Sequence, residues 1–176
     1  MIIFDFFIKR DYYRSMNKLL FLLTILLKEN KAFAHCDIPC GIYDPHQAQL
    51  AAHTVIRMTQ FLMEIKREDE TKAEHDIARA THVKEEHASI IEEELETLRN
   101  DYFKEEHYKE YSNLNDLFVK TLKSVSKARQ NIDIAAAQET LLGILEIAEI
   151  FYKTKGVMPV RVKSIYPTGG EIVLYK

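Results

Sequence analysis

The spacing of apolar residues constrains the fold of this chain more than any other feature of its sequence. After a helix-start signal, apolar side chains recur at alternating steps of four and three, which places them along one face of an α-helix. These residues are Ala51, Val55, Met58, Leu62 and Ile65. The start signal is Asp44 as N-cap, with Pro45 and Gln47 at the first and third helical positions. A helix with one apolar face must pack against another element, so the chain needs partner helices.

Three later segments carry the same pattern. We predict a second helix from about Ala73 to Arg99, a third around Leu114 to Val125 and a fourth that starts near Asp133. Only five Gly and four Pro occur in 176 residues, and 47% hydrophobic with 29% charged residues is typical of a globular helical domain. The expected fold is therefore all-α, an antiparallel up-and-down four-helix bundle.

The carboxyl-terminal residues depart from the helical pattern. Two short apolar runs, 160–162 and 172–175, flank the turn-forming residues Pro167 to Gly170. This arrangement predicts a small hairpin or an extended tail after the bundle. An aromatic link, Asp101 to Lys104, follows the second predicted helix and is expected to fold back over the core.

The amino-terminal residues have the features of a cleaved leader. Lys18 precedes nine residues, Leu19 to Leu27, that are apolar except for Thr24, and Ala32-Phe33-Ala34 places small residues where a signal peptidase cuts. Nine apolar residues are too few to span a bilayer as a helix. We predict a leader at residues 1–34, removed by a processing peptidase, and a mature domain at residues 35–176.

The leader predicts an exported protein, periplasmic or extracellular, without stable membrane association once mature. A cytoplasmic protein with a cleaved propeptide is the alternative for the location. A retained amphipathic or core helix is the alternative for the segment itself.

The charge balance excludes one class of partner. The formal charge of the whole chain is -3, but the first 34 residues hold six of the 24 Lys and Arg and three of the 27 Asp and Glu. A chain that begins at His35 therefore carries 18 basic and 24 acidic residues, a formal charge of about -6. No basic patch indicates a nucleic acid as a partner.

Cleavage after Ala34 would change the chemistry of the segment that follows. His35 would then offer a terminal amine and an imidazole, and Cys36 would offer an amide nitrogen and a thiolate. Cys40, next to Pro39, could return a second thiolate to the same plane. Planar nitrogen and sulfur ligation favours Ni(II) or Cu(II), and nickel is the better candidate because thiolates reduce Cu(II). A local disulfide between the two cysteines is the alternative for an exported protein.

Residues 35–45, His-Cys-Asp-Ile-Pro-Cys-Gly-Ile-Tyr-Asp-Pro, closely resemble the hook motif H-C-D-x-P-C-G-x-Y of nickel-containing superoxide dismutases. Asp101 to Lys104 is similar to the D-Y-F-K segment of that family. The resemblance implies a homohexamer of four-helix bundles with one nickel ion per subunit. It implies disproportionation of superoxide to oxygen and hydrogen peroxide by Ni(II)/Ni(III) cycling, with His35, Cys36 and Cys40 as metal ligands.

The resemblance also assigns residues around the metal. Tyr43 and Tyr102 match tyrosines that border the substrate pocket, and Asp37 matches a residue that supports the fold of the hook. These three residues are the predicted catalytic set. In the best-known members a glutamate on the first helix and an arginine on the second orient the axial imidazole, but Ala51 and His87 stand at those positions here.

Two rival functions follow from the same residues. A non-enzymatic nickel- or copper-binding protein of the cell envelope could use the same hook for storage or delivery. A di-iron site in the bundle would need Glu-x-x-His pairs, and no histidine of this chain has an acidic residue three positions before it. The di-iron site is therefore excluded by the sequence.

Overall fold

The computed structural model describes residues 40–176. Its elements, in chain order, are α1 (His46–Glu64), α2 (Glu70–Thr97), a π-helical turn (Leu98–Tyr102), α3 (Glu105–Glu110), α4 (Leu114–Gln130), α5 (Ile134–Thr154), β1 (Pro159–Lys163) and β2 (Glu171–Tyr175).

The four long helices form a closed ring of contacts. Helix α1 packs on α2 and α5, and α4 packs on the same two helices from the other side. Their apolar faces meet in one core, whose largest fully buried side chains include Ile91, Leu95, Phe118, Ile144 and Ile147. The predicted all-α fold is therefore confirmed, and its core follows the helical periodicity of the sequence.

Aspartate side chains accept hydrogen bonds at the starts of three of the long helices. The N-cap residue of α1 is Pro45, one residue later than the predicted Asp44, but the Asp44 carboxylate accepts a hydrogen bond from the first helical N–H, that of His46, at 2.7 Å. Asp69 accepts one from Lys72 at 3.0 Å, and Asp133 accepts one from Ala136 at 3.0 Å. Helix α2 therefore begins at Glu70, slightly before the predicted Ala73.

The aromatic link between α2 and α4 is more ordered than the sequence indicates. It contains the π-helical turn and the short helix α3, which has no buried residue. Phe103, at the start of the link, is 3% exposed, and its ring centre lies 5.7 Å from that of Phe118 in α4. The link therefore folds back over the core as predicted, whereas α3 was not predicted.

A buried lysine closes the carboxyl end of α4. Lys84, on α2, is 3% exposed, and its ammonium donates to the carbonyls of Ala128, Arg129 and Asn131 at 2.7, 2.9 and 2.7 Å. Burial lowers the pKa of Lys84 below its usual value. The positive charge faces the negative end of the α4 dipole, and this contact ties α2 to α4.

The carboxyl-terminal strands form an antiparallel hairpin, so the predicted hairpin is present rather than an extended tail. Val160 pairs with Leu174 and Val162 pairs with Ile172. Both strands contact α5, and Val173 is fully buried. Among the described residues, no helix has the length and apolar character that a membrane span requires.

Candidate metal centre

The predicted metal ligands fall on both sides of the point where the described structure begins. His35 and Cys36 lie outside the described residues, as does the predicted support residue Asp37. Cys40 lies within them, and its side chain is exposed. The structure therefore describes one predicted ligand and the chain that leads from it into α1.

The backbone after Cys40 turns sharply around its sulfur atom. The N–H of Ile42 donates to Cys40 Sγ at 3.4 Å. Gly41 has φ of 70°, a left-handed conformation that side chains other than glycine adopt at a cost. An N–H donor stabilises a thiolate, which is the form of cysteine that binds metals. The exposed sulfur and its amide donor fit the thiolate ligand that a nickel site needs.

The two predicted pocket tyrosines lie together. Tyr43, three residues after Cys40, has its ring centre 5.5 Å from that of Tyr102, with the ring planes tilted by 53°. Tyr43 leads from the hook into α1, while Tyr102 ends the π-helical turn. The fold thus brings two segments that are distant in sequence into one aromatic cluster, and one of them is the segment that contains the predicted ligand Cys40. Their catalytic roles remain predictions.

Hydrogen bonds fix the direction of the Tyr102 phenol. Its oxygen lies 2.7 Å from Thr154 Oγ1, and Thr154 Oγ1 itself donates to the carbonyl of Phe151 at 2.7 Å. Either hydroxyl can be the donor in the first bond, so the Tyr102 proton can be directed to Thr154 or to a group on the other side of the phenol.

Rings and one cation surround Tyr102. The ring of His107 stacks on it, with centres 5.7 Å apart and planes within 10°, and the ring of Phe151 lies 4.6 Å away. The ammonium of Lys155 lies 4.7 Å from the Tyr102 ring centre and 5.7 Å from that of Phe151. This cation–π contact holds a positive charge beside the tyrosine pair.

Lys155, Thr154 and His107 have no sequence signal that marks them as residues of the site. Lys155 and Thr154 stand at the end of α5, where a basic residue is common for helix-dipole reasons alone. Only the tertiary contact with Tyr102 distinguishes them from other polar residues at a helix end.

Asp44 has a second contact besides that with the first helical N–H of α1. The hydroxyl of Tyr152 lies 3.4 Å from the Asp44 carboxylate and donates to it, and Tyr152 is 4% exposed. Burial and the neighbouring Asp44 charge raise the pKa of Tyr152 well above its usual range, so this phenol keeps its proton. The contact joins α5 to the base of the hook.

The two positions where this chain departs from the family pattern differ in character. Ala51 is 3% exposed in the core and has no polar side chain. His87 is partly buried, and its Nδ1 donates to the carbonyl of Val83 one turn earlier at 2.8 Å. That bond leaves Nε2 as the ring nitrogen that could face another group.

The described residues contain no group of three or more His, Cys, Asp or Glu side chains arranged to hold a metal ion. The predicted centre would take its other ligands, His35 and Cys36, from the residues before Cys40.

Comparison with known proteins assigns the chain a family. The family model for nickel-containing superoxide dismutase matches residues 30–155. The Superoxide dismutase [Ni] of Streptomyces seoulensis is 37% identical over 125 residues, which cover 71% of this chain and 91% of the relative. That of Streptomyces coelicolor is 38% identical over 122 residues, covering 69% and 88%.

Solved structures give the same result. Native nickel superoxide dismutase is 36% identical and aligns with a TM-score of 0.62 over 69% of this chain and 99% of its own. A structure with nickel ligation corresponding to the oxidised state aligns with a TM-score of 0.63 over the same shares at 36% identity. Both similarities cover nearly the whole of the known protein.

Proposed function

The chain belongs to the family of nickel-containing superoxide dismutases, and from this premise we propose that it uses Ni(II)/Ni(III) cycling at an amino-terminal hook that begins at His35. It is an oxidoreductase with a nickel cofactor, and superoxide is its substrate. The observation that supports the hook most directly is the contact of Tyr102 with Tyr43, which is three residues beyond the predicted thiolate ligand Cys40.

The residues that would hold the metal are His35, Cys36 and Cys40, one nickel ion per subunit. When bound, nickel supplies the one-electron steps by which one superoxide ion is oxidised to oxygen and a second is reduced to peroxide. Asp37 would support the fold of the hook. The Ile42 amide donates to Cys40 Sγ and keeps that thiolate directed along the turn.

The remaining residues act on substrate and protons. Two protons are consumed for each hydrogen peroxide released, and phenols within hydrogen-bonding reach can deliver protons to a developing peroxide. Tyr43 and Tyr102, whose ring centres lie 5.5 Å apart, would border the substrate pocket, and a hydrogen bond with Thr154 holds the Tyr102 hydroxyl in place. Lys155 places a positive charge beside them. Because the mature chain has a formal charge of about -6, this local charge is what attracts an anion.

The experiment that tests the proposal starts from protein shown by mass spectrometry to begin at His35. It should bind one nickel ion per chain, show a Ni(III) spectrum and dismute superoxide. The matched control carries one additional alanine before His35, which converts the His35 amine into a peptide amide without altering any side chain. The control should lose the activity.

Two results would contradict the proposal. A nickel-loaded chain from His35 that fails to dismute superoxide would indicate a storage or delivery protein. Equal activity in the extended control would show that the terminal amine is not a ligand.

The His35 imidazole would need a hydrogen-bond partner that fixes its orientation towards the metal. His87 is the candidate partner, because its Nε2 is not committed to the bond with Val83. Replacing His87 with Ala should alter the Ni(III) spectrum and the turnover number. An unchanged spectrum with unchanged turnover would exclude this role.

The proposal also includes processing, location and assembly. A peptidase removes residues 1–34, the mature enzyme is periplasmic or extracellular, and it assembles as a homohexamer. Cell fractionation with terminal sequencing tests the first two statements, and light scattering coupled to size-exclusion chromatography tests the third. Uncleaved protein in the cytoplasm, or a monomer at micromolar concentration, would contradict them.

A further inference from the structure

The carboxyl-terminal hairpin lies outside the part of the chain that the family shares. The family match ends at residue 155, and the hairpin strands begin at Pro159 and end at Tyr175. The bundle of this chain therefore carries an added element, and its contacts show what that element does.

The hairpin is fastened to the first two turns of α1. Gln49 is fully buried; its side-chain nitrogen donates to the carbonyl of Val173 at 3.2 Å, and its side-chain oxygen accepts from the N–H of Val173 at 2.6 Å. The side-chain amide of Gln49 therefore forms with Val173 the two hydrogen bonds that a residue of a neighbouring strand would form. One turn later, His53 lies 2.7 Å from Thr168 Oγ1 and 3.2 Å from the carbonyl of Glu171.

A second set of contacts extends from the hairpin to the hook. The ring of Tyr175 in β2 lies 5.0 Å from that of Tyr152. Tyr152 donates to Asp44, and Asp44 also accepts from the N–H of His46. Asp44 is four residues after Cys40 and is the junction between the hook and α1. The hairpin therefore contacts the base of the hook through one intervening side chain.

We propose that the hairpin is a brace that fixes the start of α1 and with it the base of the metal hook, with Gln49 and Tyr152 as positioning residues. This inference rests on the proposed nickel hook. Asp44 joins Cys40 and Tyr43 to α1, so motion at Asp44 would be transmitted to both residues. A fixed base lowers the entropy lost when the hook closes around a metal.

The experiment compares three variants of the chain that begins at His35. Gln49→Met keeps the volume of the side chain but removes both bonds to Val173. Tyr152→Phe removes only the hydroxyl that contacts Asp44. The matched control, Arg161→Gln, breaks the ion pairs of the hairpin with Glu149 and Glu171 and touches neither α1 nor the hook.

Two measurements are made. The first is amide hydrogen exchange of Ile42, Tyr43 and His46 in metal-free protein, and the second is the rate of nickel loss to a chelator. Gln49→Met should speed both about tenfold, and Tyr152→Phe about threefold, because one or two buried hydrogen bonds no longer oppose local opening. Arg161→Gln should leave both within a factor of two of the parent chain.

Hydrogen exchange at these three amides distinguishes a local effect of the hairpin on the base of the hook from a general effect on the stability of the protein. If Gln49→Met and Tyr152→Phe lower the melting temperature but leave the exchange of the three amides at the control level, the brace does not exist. Should Gln49→Met fail to fold, Tyr152→Phe decides alone, since its core packing is kept. If exchange responds as expected in a chain that does not dismute superoxide, the brace stands and the proposed function fails.

Discussion

Replacing Lys155 with Gln should slow the capture of superoxide while leaving the bundle intact. The ammonium lies 4.7 Å from the Tyr102 ring centre, so an anion at the tyrosine pair would be about 7 Å from it. At about 7 Å, two unit charges interact by about 0.6 kcal/mol in water and about 2.4 kcal/mol at an effective dielectric constant of 20. Lys155 is exposed, so a value of about 1 kcal/mol applies, which corresponds to about a fivefold loss in kcat/KM.

The assay is kcat/KM for superoxide from pulse radiolysis at two ionic strengths. Lys153→Gln is the matched control, since Lys153 is exposed on the same helix and points away from the side of Lys155. The loss in Lys155→Gln should be largest at about 0.01 M salt and should shrink at 0.15 M, where the Debye length falls to about 8 Å. Equal kcat/KM for the two variants at low salt would refute the assignment of Lys155 as the attracting charge.

Three further changes test the bundle itself, each by urea unfolding of metal-free protein. Lys84→Met should lower the free energy of unfolding by about 2 to 4 kcal/mol, because three carbonyls lose a charged donor, while Lys123→Met on the exposed face should change it by less than about 0.5 kcal/mol. Burial lowers the pKa of His53 below 6.5, so the unfolded state binds more protons than the folded state as the pH falls. The free energy of unfolding should therefore be highest above about pH 7 and should fall towards pH 5. His53→Gln should remove this part of the pH dependence. Gly143→Ala would place a methyl group 2.2 Å from Thr121 Oγ1 and should cost about 1 to 3 kcal/mol, most of which Thr121→Ala should restore. A small effect of Lys84→Met, a flat pH dependence or a neutral Gly143→Ala would contradict the respective contacts.

The helices could be predicted because each has a continuous apolar face and a recognisable start. Asp44 and Asp133 mark two helix starts in the sequence, and both carboxylates accept a hydrogen bond from the first turn of the helix that follows. Helix α3 escaped prediction because it buries no side chain and so leaves no apolar period. Gln49 and Lys84 escaped it for a different reason. A polar side chain in a helical segment is normally expected to be exposed to solvent. Gln49 and Lys84 are buried instead, because each forms hydrogen bonds with residues far along the chain.

Less of the candidate site than of the fold could be predicted from the sequence. Tyr43 and Tyr102 were singled out by resemblance to a family motif, not by any spacing that would place them together, and the structure shows them 5.5 Å apart. Lys155 and Thr154 have no motif of their own; they become part of the site because the end of α5 meets the π-helical turn. The predicted ligands His35 and Cys36 lie outside the described residues and stay predictions.

The proposed centre divides its chemistry between a chain terminus and a folded bundle. The terminus would supply the metal ligands, so we expect nickel binding to depend on cleavage before His35. The bundle supplies Tyr102, the Lys155 charge and the contacts of Gln49 with β2, none of which ligates the metal. Substitutions in the bundle should therefore change the rate of superoxide capture, amide hydrogen exchange and the rate of nickel loss by modest factors. An unprocessed terminus, in contrast, should abolish nickel binding in an otherwise folded protein.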